Sequence, residues 1–394
     1  MRISSRSQTA PFIAMDILAE AQAIEARGSK VIHMEVGEPA FGAPDAARNA
    51  LGAALIRGET LGYTSGLGLS DLRTAIAALY QRRYGIAVDP ARVVVTSGSS
   101  AGFLLSFLTL FDVGERVAIA DPGYPCYRNI LGTLGLEPVR IEAELASRYQ
   151  PTPEALDQIA GPLHGLLVAS PANPTGTMLD RPALAALVGY CAGRDVAFIS
   201  DEIYHGLTYE APAVSALELT DAVFVINSFS KYYAMTGWRI GWMVVPERFV
   251  RTVQNLAQNL FICPSHASQI AALAALSEEG EAEVAGHLQQ YARNRAALMA
   301  ALPGLGFTDI SPADGAFYIY AGISRLTNDS RDFCARLLAE AGVAATPGLD
   351  FDPTRGHATI RFSFAQAPEK IAEGIERLTQ FIANGAGQGE PGQG

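Results

Sequence analysis

Between Arg92 and Val245 the chain repeats one pattern, and that pattern limits the folds open to it. Short runs rich in β-branched residues read as strands at Arg92–Thr96, Arg116–Ala120, Leu166–Ala169, Val196–Ser200, Val223–Asn227 and Ile240–Val245. Several are apolar throughout, as strands covered on both faces must be. Longer stretches with helical periodicity, among them Ala101–Phe111 and Arg181–Ala192, separate the strands. Such alternation describes an α/β fold built on a mostly parallel central sheet between helices. In open sheets of this kind ligands bind where loops leave the carboxyl ends of the strands. Polar residues just after each run are therefore the first candidates for chemistry.

The pattern changes further along. A continuous helical stretch, Pro246–Ser277, closes the sheet region. A helix at Glu281–Ala301, a strand at Gly315–Tyr320, a helix at Arg331–Ala341 and a strand at Ala358–Phe364 then read as a smaller α+β domain. The expected organisation is an N-terminal segment, 1–45, packing with the small domain, a large domain at 46–280 and the small domain at 281–386. Residues 387–394 are rich in Gln, Gly and Pro and are expected to be disordered.

Composition removes several classes of function. Hydrophobic residues make up 49% of the 394, yet no run of about eighteen apolar residues occurs, so a membrane span is not expected. The basic start, Met1–Arg6, leads into an apolar stretch too short for a secretion signal and then into an amphipathic helix, Met15–Ala26, so a cytoplasmic protein is expected. A net charge of −11 without a basic cluster argues against nucleic acid as a partner. Cys126, Cys191, Cys263 and Cys334 are scattered with no C-x-x-C spacing, which suits free thiols and gives no protein metal site.

The most informative chemistry lies in Ser228-Phe229-Ser230-Lys231, just after the Val223–Asn227 run, with Arg239 eight positions beyond the lysine. A lysine held at a strand end can lose its proton and attack a carbonyl. An arginine and nearby serines can grip a phosphate through charge-assisted hydrogen bonds. Together these suit a phosphorylated aldehyde such as pyridoxal 5'-phosphate (PLP). Lysine is scarce in this chain, and this one sits among aromatic and small residues rather than in a solvated charge run.

The segment resembles the Schiff-base lysine segment of the class I/II aminotransferases, fold-type I PLP enzymes related to aspartate aminotransferase. Further matches run in order from Gly37 to Arg361. The resemblance implies that Lys231 binds PLP and acts as base and then acid. It implies a phosphate cradle of Gly98, Ser99 and Ser100, where a strand meets a helix N-terminus, joined by Ser228 and Arg239. Asp201 would keep the pyridine nitrogen protonated, Tyr204 and Asn173 would bond the cofactor's phenolic oxygen, and Tyr124 would cover the ring. Arg361, Gly37 and Asn173 would bind the substrate carboxylate, and Tyr63 would reach the phosphate of a neighbouring subunit in a homodimer with shared active sites.

Taken singly, several of these are ordinary. Asn173-Pro174-Thr175-Gly176 reads as a turn, Asp201 as a helix cap, and Arg361 as an edge-strand residue facing solvent. One departure from the family falls after Thr346-Pro347-Gly348-Leu349-Asp350-Phe351, where Asp352-Pro353 replaces a common glycine beside the substrate entrance. The implied reaction moves an amino group from an L-amino acid to a 2-oxo acid, 2-oxoglutarate or pyruvate, with ping-pong kinetics. Ala101–Leu110 contains no basic residue, which favours a neutral or aromatic substrate side chain over a second carboxylate. A carbon–sulfur β-lyase would use the same residues, and a non-catalytic effector-binding module is a third reading.

Overall fold

The computed structural model describes residues 1–386, and the tail assigned to 387–394 lies outside the described residues. In chain order the strands are β1 (Ile32–His33), β2 (Val93–Thr96), β3 (Arg116–Asp121), β4 (Glu137–Glu142), β5 (Gly165–Ala169) and β6 (Ala197–Asp201). They continue with β7 (Phe224–Ser228), β8 (Gly241–Val244), β9 (Tyr318–Gly322), β10 (Val343–Ala344), β11 (Thr346–Pro347) and β12 (Thr359–Ser363). Seven of them form the central sheet in the order β2-β8-β7-β6-β5-β3-β4. The pairings from β7 through β4 are parallel, and β8 runs antiparallel to both β7 and β2.

The reversed strand β8 matters for the site. β2 and the parallel strands all end at one edge of the sheet, and β8 begins there. Gly241, at the start of β8, pairs with Thr96 at the end of β2 and with Ser228 at the end of β7. The residues that follow β2 and β7 and those that precede β8 are thereby gathered at a single point.

All six runs expected as strands are strands, within a residue or so at each end. β4 was not expected: its sequence, Glu-Pro-Val-Arg-Ile-Glu, carries charges because it is an edge strand with largely exposed side chains. The stretch Pro246–Ser277 is not continuous. Helices Glu247–Phe261 and His266–Ala275 are separated at Ile262, which has a φ of 66°. Pro264 cannot continue a helical hydrogen-bond ladder, and the Ser265 hydroxyl accepts from the Ser268 N–H to start the second helix.

The smaller lobe carries an antiparallel sheet of order β11-β12-β9. Its first expected strand begins three residues late, because Gly315 and Ala316 cross instead to the large lobe, donating backbone hydrogen bonds to Gly176 and Leu207. The N-terminal segment joins this lobe: β1 pairs in parallel with β10, and Ala21 of the Ile13–Glu25 helix packs with Val31, Leu338 and Ala344. Among the described residues no helix is long and apolar enough to cross a membrane, and no group of His, Cys, Asp or Glu is placed to hold a metal ion.

Candidate active site

At the carboxyl edge of the sheet lies a cavity of about 200 Å³ lined by residues of both lobes and of the N-terminal segment. Its wall includes Gly37, Ser99, Ser100, Tyr124, Asn173, Tyr204, Lys231, Arg239 and Arg361, which sequence reading proposed from seven separate segments.

Lys231 lies three residues beyond the end of β7. Its Nζ donates to the carbonyl of Gly37 at 2.6 Å. Burial pushes its pKa down to about 8, with the positive charges of Arg361 and Arg239 adding to the shift. The amine is thus close to giving up its proton at neutral pH, as a nucleophile or base requires.

Asp201 ends β6 and is buried. It accepts hydrogen bonds from the Tyr127 hydroxyl and from the Ile203 N–H. Burial nonetheless raises its pKa to about 6. Tyr204, three residues on, shares a hydrogen bond of 2.9 Å with Tyr318.

The helix Ser99–Leu110 starts from Gly98 without any side-chain cap, leaving its first N–H groups available to an anion. Gly98 has a φ of +77°, and a Cβ there would lie 2.6 Å from Arg239 Nη2. Arg239 itself has a positive φ, 52°, an uncommon conformation for arginine, and its Nη1 donates to the Thr236 carbonyl at 2.9 Å. Ser228 is buried behind this cradle, its hydroxyl 2.9 Å from that of Ser230.

Arg361 lies on β12, the central strand of its sheet, and is 2% exposed, so the edge-strand reading is overturned. One Nη donates to Asn173 Oδ1 at 2.8 Å and the other to the Glu35 carbonyl. The guanidinium is held between the rings of Tyr318 and Phe351, 4.4 and 4.6 Å from their centroids. Gly37 faces the same point, where a Cβ would fall 1.6 Å from the Tyr318 hydroxyl.

Gly98, Asp201, Ser228 and Tyr63 are the proposed residues that are not on the cavity wall, and of these Tyr63 stands on the surface. It is 87% exposed.

The sequence model of "Aminotransferase class I and II" matches residues 29–378. The chain belongs to this family. The valine–pyruvate aminotransferase of Mycobacterium tuberculosis is 48% identical over 383 residues, covering 97% of this chain and 98% of the other. A crystal structure of a Mycobacterium tuberculosis aminotransferase superimposes with a TM-score of 0.95 at 47% identity, covering 98% of this chain and all of that one. The aspartate aminotransferase of Thermus thermophilus, solved with maleate, matches with a TM-score of 0.90 at 31% identity over 96% of this chain and all of its own.

The aminotransferase is PLP-dependent, and its residues fit that cofactor. The uncapped helix start beside Arg239 suits a phosphate, a lysine amine of depressed pKa suits an aldehyde, and a buried carboxylate ends the neighbouring strand. Sequence reading missed four participants in the aminotransferase site: Tyr127, Tyr318, Phe12 and Met15. Tyr127 lies one helical turn beyond Tyr124, and this i, i+3 relation was the available signal. Phe12 and Met15 gave none, because the N-terminal helix reads as any amphipathic surface helix until the fold lays its start over the cavity.

Proposed function

We propose that the enzyme moves the amino group of a branched aliphatic L-amino acid, of the valine type, to pyruvate. The Mycobacterium tuberculosis relative carries that activity in its name. The cavity wall supports it: Phe12, Met15, Val36 and Ile203 are apolar, and among the described residues the cations on the wall are Lys231, Arg239 and Arg361. Each has a task in the common chemistry, so none is spare for a second substrate carboxylate.

The observation that carries the reading is the meeting of Lys231 and the Arg361–Asn173 pair across one small cavity. Bound PLP supplies a carbonyl carbon for an amine and a ring that accepts the electrons of a breaking C–H bond. Arg361, with Asn173 and the backbone at Gly37, grips the substrate carboxylate in a bidentate fork. That grip presents the α-carbon to Lys231, which removes its proton and later returns one as a general acid. Asp201, oriented by Tyr127, would keep a proton on the pyridine nitrogen. Tyr204 and Asn173 would bond the phenolic oxygen, Tyr124 would cover the ring, and Gly98, Ser99, Ser100, Ser228 and Arg239 would hold the phosphate.

The same reading extends to assembly. Tyr63, Leu260 and Ile262 are exposed at 87%, 48% and 53%. They share one surface, because the Thr64 N–H contacts Cys263 Sγ and the Gly62 carbonyl bonds His266. An exposed apolar patch of this kind fits a second copy of the chain, whose phosphate site Tyr63 would complete. The large lobe is taken as 46–280, with 281–386 and 1–45 forming the smaller one, and the four free thiols suit a cytoplasmic enzyme.

The substrate assignment is tested by turnover of single amino acids with pyruvate as acceptor. Valine should give alanine and the branched 2-oxo acid with a higher kcat/KM than aspartate. Faster turnover with aspartate would contradict it.

A further inference from the structure

The helix Ile13–Glu25 begins in an unusual way. Its N-cap is Phe12, whose side chain cannot accept a hydrogen bond. The N–H groups of Ile13 and Ala14 would be left without partners at the cavity wall. Asp350, 336 residues further along the chain, satisfies both: Oδ1 accepts from Ile13 at 3.1 Å and Oδ2 from Ala14 at 3.2 Å. The carboxylate is 1% exposed, and its negative charge also suits the positive end of the helix.

The exchange has a consequence for the pocket. With capping supplied from elsewhere, the N-cap position is free to carry an aromatic ring. Phe12 lines the cavity beside Ala14 and Met15 and meets Tyr124 edge-on, with ring centroids 5.8 Å apart. The loop that delivers Asp350 is itself tied down. Arg128 donates to the Asp350 carbonyl at 2.5 Å, and Gly123 donates to the Phe351 carbonyl at 3.1 Å. Asp352, part of the departure from the family sequence, accepts from Arg355 Nε at 2.7 Å, and Arg355 Nη2 donates to the Asp121 carbonyl at 2.8 Å. The apolar wall, the ring-covering tyrosine and the end of β3 are thus connected through one loop.

We propose that Asp350 is a specificity-determining positioning residue: by capping the N-terminal helix from a sequence-distant loop of the same lobe it fixes Phe12 and Met15 as the wall that selects a large apolar side chain over a methyl group. Asp350 does not itself line the cavity and acts through the helix start, while its charge also faces Arg361 and Arg128. The inference rests on the reading of the substrate as aliphatic, but half of its test does not depend on that reading.

The test compares holoenzyme carrying Asp350→Ala, Asp350→Asn or Phe12→Ala with the wild type. Two quantities are measured: the ratio of kcat/KM for valine to that for alanine, and amide hydrogen exchange over residues 13–15. Asp350→Ala should lower the ratio about tenfold, as expected for a lost cap, mainly by raising KM for valine, and should speed exchange at Ile13 and Ala14. Asp350→Asn, which keeps one acceptor, should fall between. Phe12→Ala should lose the same selectivity while its amides stay protected. An unchanged ratio in Asp350→Ala, or a lowered ratio with exchange unaltered, would overturn the proposal. If Asp350→Ala does not fold, wild-type values of both quantities in Asp350→Asn would overturn it equally. A wild-type preference for another large apolar amino acid would refute valine alone, and that amino acid then takes valine's place in the ratio.

Discussion

Arg361 and Asn173, 188 positions apart in sequence, are joined by a hydrogen bond of 2.8 Å that links the central strand of the small sheet to the loop after β5. The bond spans the two lobes at the floor of the cavity and holds the guanidinium still before any substrate arrives. Pre-ordering of this kind spares binding energy that would otherwise go into fixing a flexible side chain.

Replacing the fork with a point charge should be expensive. Arg361→Lys loses bidentate geometry in a site where the side chain is 2% exposed. Truncating one partner of a buried charged pair costs at least about 2–3 kcal/mol, so kcat/KM should fall roughly a hundredfold, mostly through KM. Steady-state kinetics check this, and a variant within a factor of three of the wild type would remove Arg361 from the carboxylate site.

Asp201 gives a prediction for cofactor-free protein. Burial lifts its pKa from 3.8 to about 6. Between those values the folded apoprotein retains a proton that the unfolded chain has released, so this group's contribution weakens folding as pH rises from about 4 to 6. A shift of this size is worth about 3 kcal/mol. Asp201→Asn should therefore gain stability over the wild type by that order across the interval, measured by denaturant unfolding of both apoproteins. Tyr127→Phe removes a bond that favours the carboxylate and should carry the fall in stability to higher pH than in the wild type. The same pH dependence in all three proteins would contradict the assignment.

Gly98→Ala tests the phosphate cradle. The new Cβ would meet Arg239 at 2.6 Å, and a φ of +77° costs a side-chain-bearing residue about 1–2 kcal/mol. PLP should dissociate from this variant at least tenfold faster, read from the loss of visible absorbance during dialysis. Retention equal to the wild type would place the phosphate elsewhere.

The sheet was legible because most of its strands are buried on both faces and several are therefore apolar throughout. β4 escaped notice for the opposite reason: as an exposed edge it carries charges. The lysine, the aspartate that ends β6 and Arg239 were legible because each stands at or near a strand end. Their convergence was not, since it depends on β8 running against its neighbours. Asp350 was invisible as a cap because a side chain that caps a helix 336 residues away leaves no local pattern in sequence.

Lys231 also sets a pH dependence. Its pKa is pushed down to about 8, so the amine is protonated below that value and free above it. The rate at which apoenzyme takes up PLP should rise with pH through about 8 and then level. A rise centred near the ordinary lysine value of 10.5 would contradict the depressed pKa.

The chain has three lysines, Lys30, Lys231 and Lys370, which makes one measurement especially direct. Holoenzyme reduced with borohydride and digested should carry the pyridoxyl adduct, by mass spectrometry, on the peptide containing Lys231 and on neither of the others. An adduct on Lys30 or Lys370, or none at all in PLP-saturated enzyme, would contradict Lys231 as the residue on which the transamination depends.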